Sequence, residues 1–394
     1  MVNLFEKTLV MILCGGKGER LYPLTQDRSK PSVPFLGSFR IIDFSLSNCL
    51  NSGLRKIALL TQYKSLSLEM HILRGWNIFH PESRSFIISL PAQGRVGDRW
   101  YEGTADAVFQ NIYTIQQEKP QAVLVLSGDH VYKADYRKLL KFFLEKEADA
   151  VLMAKPVPRA EVRRFGALKI DDENRIIELN EKPKNPPSLP SDPEHSLISM
   201  GVYLFKTASL IHALIQDAKN QKSSHDFGKD VLPRMILKNR IFAYPFEGYW
   251  EDIGTITAYW QSNMAFLSGT PPFQVQDDIW PLRTYSGQYP PSFIEQSTIQ
   301  NSLISAGCTI HKAAVRRSII SHGVTIGKNS HLQNVLVFEG VEIGHGARLQ
   351  NVIIDKYSQI PNHFSIGYDE AHDRKNFKIY GDGIRIVPRK WRLN

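Results

Sequence analysis

From residue 326 onward the chain places an apolar side chain near every sixth position: Ile326, Leu332, Phe338, Ile343, Leu349, Ile354, Ile360 and Ile366. Few architectures accept that spacing. A helix needs apolar residues three and four apart, and a half-buried strand needs them two apart. Six fits a coil of short strands in which each turn stacks its apolar residue on the next. Ile-Gly pairs recur within the region, at 326–327, 343–344 and 366–367. The C-terminal part therefore reads as a parallel β-helix, with an antiparallel sheet of short strands as the alternative.

The first half follows a different rule. Residues 8–16 (TLVMILCGG) read as a buried strand entering a Gly-rich turn, and 55–63 (RKIALLTQY) and 122–130 (AVLVLSGDH) have the same form. Helical patterns lie between them, at 44–53 and at 104–119, where Ala107, Val108, Ile112 and Ile115 share one face. This alternation predicts an α/β domain with a mixed, mostly parallel sheet covered on both sides. Gly15 and Gly128 mark carboxyl ends of strands, where such sheets bind ligands. A length of 394 residues exceeds what one core usually organises. The expected division is an α/β domain over 1–265, a linker over 266–295 that includes LSGTPPFQVQDD, and a β-helix over 296–394. The proline-rich stretch 183–193 (PKNPPSLPSDP) reads as a stiff surface loop rather than a polyproline ligand for a partner.

Composition excludes several classes. No run of 18 apolar residues exists, so no membrane span is expected. Only Met1 to Lys7 precede the first apolar run, which leaves no room for a signal or transit peptide. Cys14, Cys49 and Cys308 are far apart and make no metal spacing, which fits free thiols in a reducing cytoplasm. The net charge of +9 suits nucleic acid or a phosphate-rich small substrate. Lys and Arg are scattered and no nucleic-acid motif accompanies them, so neither nucleic acid nor membrane is expected as a partner.

The chemistry starts at GGKGERL (15–21). Glycines let a backbone approach phosphate closely, and its N–H groups then bind it. Arg20 adds a planar fork of donors. No Gly-Lys-Ser/Thr follows, so this is not a P-loop, and Gly15-Gly16-x-Gly18 is too tight for a dinucleotide fingerprint. Lys30-Pro31 lies downstream. Together these elements resemble the signature of sugar-1-phosphate nucleotidyltransferases. The blocks FRIIDFSLSNCLNSG (39–53), WYEGTADAV (100–108), SGDHVYKADY (127–136), NEKPKNPP (180–187), SMGVYLF (199–205), SSHDFGKDVLP (223–233), YWEDIGTITAYW (249–260) and WPLRTY (280–285) resemble the ADP-glucose pyrophosphorylase family, in the same order. The resemblance runs from about residue 8 to about residue 370.

That resemblance implies a left-handed β-helix behind the α/β domain. It also implies transfer of an adenylyl group from ATP to glucose 1-phosphate, giving ADP-glucose and diphosphate for glycogen or starch synthesis. The sugar phosphate is already an anion at neutral pH, so the chemistry needs metal and cations more than a base. By resemblance, Asp129 and Asp252 hold Mg²⁺, and Arg20 and Lys30 hold the departing phosphates. Lys182 takes the phosphate of the sugar, while Glu181, Ser199, Tyr203, Asp226 and Trp250 surround the hexose. Gly15, Gly16, Gln93, Tyr101 and Gly103 fall on the ATP side. A homotetramer and a phosphorylated or anionic effector are implied as well, with Arg40 as the candidate effector residue. Glu19 departs from the small Thr or Ser usual in the family and sets a carboxylate beside a triphosphate. The basic segment after residue 370 aligns poorly and contributes no residue.

Three other functions compete. A non-catalytic regulatory subunit would tend to lose charged site residues, yet Arg20, Lys30, Asp129, Lys182 and Asp252 are all present. A different sugar nucleotide is opposed by WYEGTADAV and SSHDFGKD. An acyltransferase in the β-helix would need a histidine base, and His311, His322, His331 and His345 sit in no such pattern.

Overall fold

The computed structural model describes residues 2–93, 99–189 and 192–393. Strand Thr8–Cys14 lies inside a nine-stranded sheet, paired in parallel with Lys56–Thr61 and Ala122–Ser127. Phe86–Pro91 adds a further parallel strand. The side chains of Thr8–Cys14 alternate between two cores: Val10 and Ile12 pack on one face, Leu9 and Met11 on the other. Beyond Ala122–Ser127 the sense reverses, because the long strand His195–Lys206 runs antiparallel to it and to Ala150–Pro158. The sheet is thus parallel on the side of the Gly-rich turn and largely antiparallel on the other.

Local chemistry shifts two expected helices. The first starts earlier, at Ile41, and runs to Asn51. Arg40 is its N-cap, and the Asp43 carboxylate accepts the Arg40 backbone N–H at 2.8 Å. The second is not one helix but two, Thr104–Phe109 and Ile112–Glu118. Asn111 causes the break, since its Nδ2 donates to Ala107 O and to the Tyr101 hydroxyl, each at 2.9 Å. Asn side chains compete in this way with the helical ladder.

The C-terminal repeat forms the left-handed hexapeptide β-helix. Thr309, Thr325, Glu342 and Gln359 stand in one parallel column, so a turn takes 16 or 17 residues, close to three times six. Ile310, Ile326, Ile343 and Ile360 stack inside it. The parallel pairing disposes of the antiparallel alternative, apart from the closing pair Lys378–Tyr380 and Ile384–Val387. Phe338 departs from the expected pattern. It is buried, but outside the coil, while its neighbour Val337 fills the interior.

A second column explains why. Ile319, Leu336, Ile353 and Ile386 stack in register and face outward. They join Phe338 in one core with Leu21, Leu24, Phe35, Ile256 and Tyr259 of the α/β domain. The intervening residues 270–292 contain no helix or strand but are tied down. Asn51 Nδ2 donates to Pro281 O at 2.9 Å, Arg283 Nη2 to Gly75 O at 3.1 Å, and the Thr284 hydroxyl to Asp43 Oδ2 at 2.7 Å. Among the described residues no helix is long and apolar enough to cross a membrane. Cys14, Cys49 and Cys308 are free and buried.

Truncating the outward column tests this shared core. Leu336→Ala is expected to destabilise the protein by about 2–5 kcal/mol, seen as a lower melting temperature. Gln333→Ala, on an exposed position of the same strand, is expected to change stability by less than about 0.5 kcal/mol.

Candidate active site

The site begins where the strand Thr8–Cys14 ends. Gly18 has φ 65°, and a Cβ there would lie 3.1 Å from Thr25 Cγ2, so glycine suits both the backbone and the space. A Cβ on Gly16 would meet nothing within 4 Å. The turn opens onto a cavity of about 540 Å³ lined by Gly16, Gly18, Arg20, Lys30, Asp129 and Gly254, among others. Gly128 N donates to Leu13 O at 3.0 Å, which sets the start of Gly128-Asp129-His130 beside the turn.

Asp252 arrives by a separate route. The short strand Trp250–Asp252 pairs antiparallel with His130–Tyr132, and Asp252 stands opposite His130. The carboxylates of Asp129 and Asp252 then converge on a single point, occupied by the Lys30 ammonium at 2.6 Å and 3.0 Å. Burial alone would lower the affinity of Lys30 for its proton, but the charges of Asp129 and Asp252 outweigh it and raise it. Burial would likewise raise Asp129, yet the charge of Lys30, with help from His130, holds it down to about 2. His130 Nε2 lies 3.5 Å from Asp129 and 4.0 Å from Asp252. Ligand atoms of Asp129, His130 and Asp252 fall within 4.8 Å of one another. Two carboxylates that already share one cation suit a hard divalent ion, which takes one or two carboxylates plus substrate oxygens.

On the far side of Asp252 lies a smaller cavity of about 150 Å³, lined by His130, Glu181, Ser199, Tyr203 and Trp250 among others. A bulge between Ser199 and Tyr203, with Gly201 at φ 68°, re-aims this part of the long strand. Ser199 Oγ donates to the Tyr203 hydroxyl at 3.4 Å. Burial pushes the Tyr203 phenol up to about 12, so it stays protonated. Trp250 Nε1 and His130 Nδ1 are buried without a partner among the described residues, and their rings meet edge to face at 5.2 Å.

The remaining predicted residues fall around these cavities in different ways. Lys182 sits beside the smaller one, exposed, with its Nζ 3.3 Å from Glu181. Asp226 caps a helical turn: its Oδ1 accepts Gly228 N at 2.9 Å and its Oδ2 accepts the Thr104 hydroxyl at 3.0 Å. Tyr101 packs toward Gly15 and takes Gln62 Oε1 on its backbone N–H at 2.7 Å. Gln93 is exposed after strand Phe86–Pro91 and lines neither cavity. Gly103 serves close packing, since a Cβ there would stand 2.2 Å from His225 O. Glu19 is exposed at the larger cavity's edge, 3.9 Å from Lys17.

Arg40 lies elsewhere. Its Nη1 donates to Ser67 O at 2.6 Å, and it lines a cavity of about 220 Å³ where the α/β domain, residues 285–289 and the β-helix meet. Arg28, Arg74, Lys356 and Arg389 line the same cavity against one carboxylate, Glu339. Burial lowers the pKa of both Arg40 and Lys356.

No sequence pattern marked His130, Arg28, Lys356 or Arg389. His130 adjoins Asp129 in a quoted block and could have been found there. Arg389 lies in the basic segment after residue 370, and no sequence pattern links it to Arg28.

The comparisons bear on this arrangement. Residues 9–269 match the family described as nucleotidyl transferase, and residues 291–387 match the GlmU-like C-terminal hexapeptide family. The chain is 44% identical to glucose-1-phosphate adenylyltransferase 2 of Vibrio cholerae serotype O1, over 99% of each chain. It is 44% identical to the glucose-1-phosphate adenylyltransferase of Shewanella sp. (strain ANA-3), over 98% of this chain and 96% of the relative. The enzyme of that name from Methylococcus capsulatus is 42% identical, over 98% and 94%. The chain belongs to the glucose-1-phosphate adenylyltransferase family. This chain carries Glu19 at the rim of its larger cavity and two carboxylates that converge on Lys30.

Two outcomes follow for this member of the family. Gly103→Ala forces a methyl group against the backbone carbonyl of His225 and is expected to lower the melting temperature. The ionised Asp129 contributes stability that is fully present above its ordinary value of 3.8 and fades as pH falls toward about 2. The stability gap between the parent and Asp129→Asn is therefore expected to narrow as melting curves are taken from pH 5 downward.

Proposed function

We propose that the protein joins ATP and α-D-glucose 1-phosphate to give ADP-glucose and diphosphate, the activity named for its relatives. One observation carries this reading. Lys30 and Asp129 line the Gly-rich cavity, Asp252 lines the smaller polar one, and the Lys30 ammonium bonds to both carboxylates. A nucleoside triphosphate on one side and a hexose phosphate on the other would bring their phosphates together there.

A phosphate oxygen of the sugar attacks the α-phosphorus of ATP in line. The bond from that phosphorus to the bridging oxygen breaks, and diphosphate leaves with the electron pair. Asp129 and Asp252 would hold Mg²⁺, which when bound neutralises phosphate charge. Lys30 and Arg20 supply positive charge to the departing diphosphate. Gly15 and Gly16 let the triphosphate approach the backbone, with Tyr101, Gly103 and Gln93 on the ATP side. Glu181, Ser199, Tyr203 and Trp250 hold the hexose, and Lys182 reaches its phosphate. Asp226 shapes this side chiefly through the turn it caps.

Residues 1–265 carry the chemistry, 266–295 connect, and 296–394 serve assembly and regulation. The reading includes a cytoplasmic homotetramer working in glycogen synthesis. A phosphorylated or anionic effector fits the junction cavity, where five Arg and Lys side chains face one carboxylate.

The test is diphosphate release from glucose 1-phosphate, Mg²⁺ and each of ATP, UTP, GTP and dTTP. Release with ATP alone is expected, with kcat reduced by roughly 100-fold or more in Asp129→Asn. Preference for another nucleotide would change the substrate and keep the mechanism. Inactivity with all four would point to a non-catalytic subunit.

A further inference from the structure

Arg28 precedes Lys30 by two residues and is 3% exposed. Its Nη2 donates to Asp355 Oδ1 at 2.8 Å, and Asp355 follows the β-helix strand Arg348–Ile354. Both side chains are shielded from water, and Arg28 Nη1 is buried with no partner among the described residues. Desolvating two charges is costly, and apolar side chains of similar size often stabilise a core as well or better. Stability alone is a poor reason for an ion pair here. Its place in the chain supplies a better one.

Only Ser29 separates Arg28 from Lys30, and the segment has little slack. Ser29 N donates to Lys64 O at 3.1 Å, Ser32 N to Ser29 O at 3.0 Å, and Val33 N to Lys30 O at 3.1 Å. The Tyr259 hydroxyl then holds Pro34 O at 2.6 Å. Asp355 is equally constrained: its Oδ1 accepts Lys356 N at 2.7 Å, and its own N–H donates to Val387 O at 3.0 Å. The pair therefore joins a rigid corner of the β-helix to the start of the short turn Lys30–Ser32.

We propose that Asp355, acting through Arg28, is a positioning residue for Lys30, so that the β-helix sets where the lysine ammonium meets the reacting phosphates. The inference rests on the role given to Lys30 above. A misplacement of about 1 Å near reacting phosphates can cost 100-fold in rate.

The experiment uses the full chain and the double variant Arg28→Met with Asp355→Leu, which replaces the pair by apolar side chains. Its melting temperature is expected to match or exceed the parent's. The kcat for diphosphate release is expected to fall about 10- to 100-fold. In the reverse direction, with ADP-glucose, KM for diphosphate is expected to rise while KM for glucose 1-phosphate in the forward direction stays within twofold. Unchanged kcat, or equal losses of affinity for both ligands, overturns the proposal. If the double variant melts early, Asp355→Glu decides, because it keeps both charges and lengthens the arm by one methylene. A lower kcat at an unchanged melting temperature then upholds the proposal, and an unchanged kcat overturns it. An inert parent sinks the functional reading instead. Diphosphate binding by calorimetry then judges the inference, weakening at least tenfold in the double variant if it holds and staying within twofold if it fails.

Discussion

One ammonium group gathers three distant segments of this chain. Lys30 sits between Asp129 and Asp252, which come from the end of a core strand and from a short two-stranded pair. Each approach depends on something larger. The parallel strands Thr8–Cys14 and Ala122–Ser127 set the Gly-rich turn beside Asp129. The pairing of Trp250–Asp252 with His130–Tyr132 brings in the second carboxylate. With opposite charges at 2.6 and 3.0 Å, Lys30 and Asp129 keep their charges despite burial.

The β-helix belongs to the same structural problem. Its outward column of Ile319, Leu336, Ile353 and Ile386 is buried in a core shared with the segment that carries Arg20 and Lys30. Burying each such side chain contributes about 1.5–3 kcal/mol, so the two domains are not loosely tethered. The seam also collects cations. Arg28, Arg40, Arg74, Lys356 and Arg389 face a common cavity, and burial works against the charge of Arg40 and Lys356. Charges held in this way favour an anion, and the cavity lies within two residues of Lys30 along the chain through Arg28.

The smaller cavity shows how irregular backbone serves a site. The bulge at Ser199–Tyr203 turns polar groups of a core strand toward Trp250 and Glu181. Gly103 has a similar logic, since its missing side chain lets the backbone of His225 come close.

Much of this was written in local patterns. The six-residue recurrence determined the β-helix, because an apolar residue returns at each flat of the coil and stacks on its counterpart one turn away. The alternation of buried strands with helices determined an α/β sheet, and the motifs around Arg20, Lys30, Asp129 and Asp252 marked the chemistry. Tertiary structure decided the rest. Asn111 ended a helix that periodicity alone would have continued, because its side chain found partners on Ala107 and Tyr101. Phe338 obeyed the six-residue spacing and still left the coil, because the adjacent domain offered an apolar surface. Most clearly, no local pattern joins Arg28 to Asp355, or Arg40 to Arg389. These pairings exist only once two domains share a core, and an isolated stretch of sequence carries no record of what will face it across that seam.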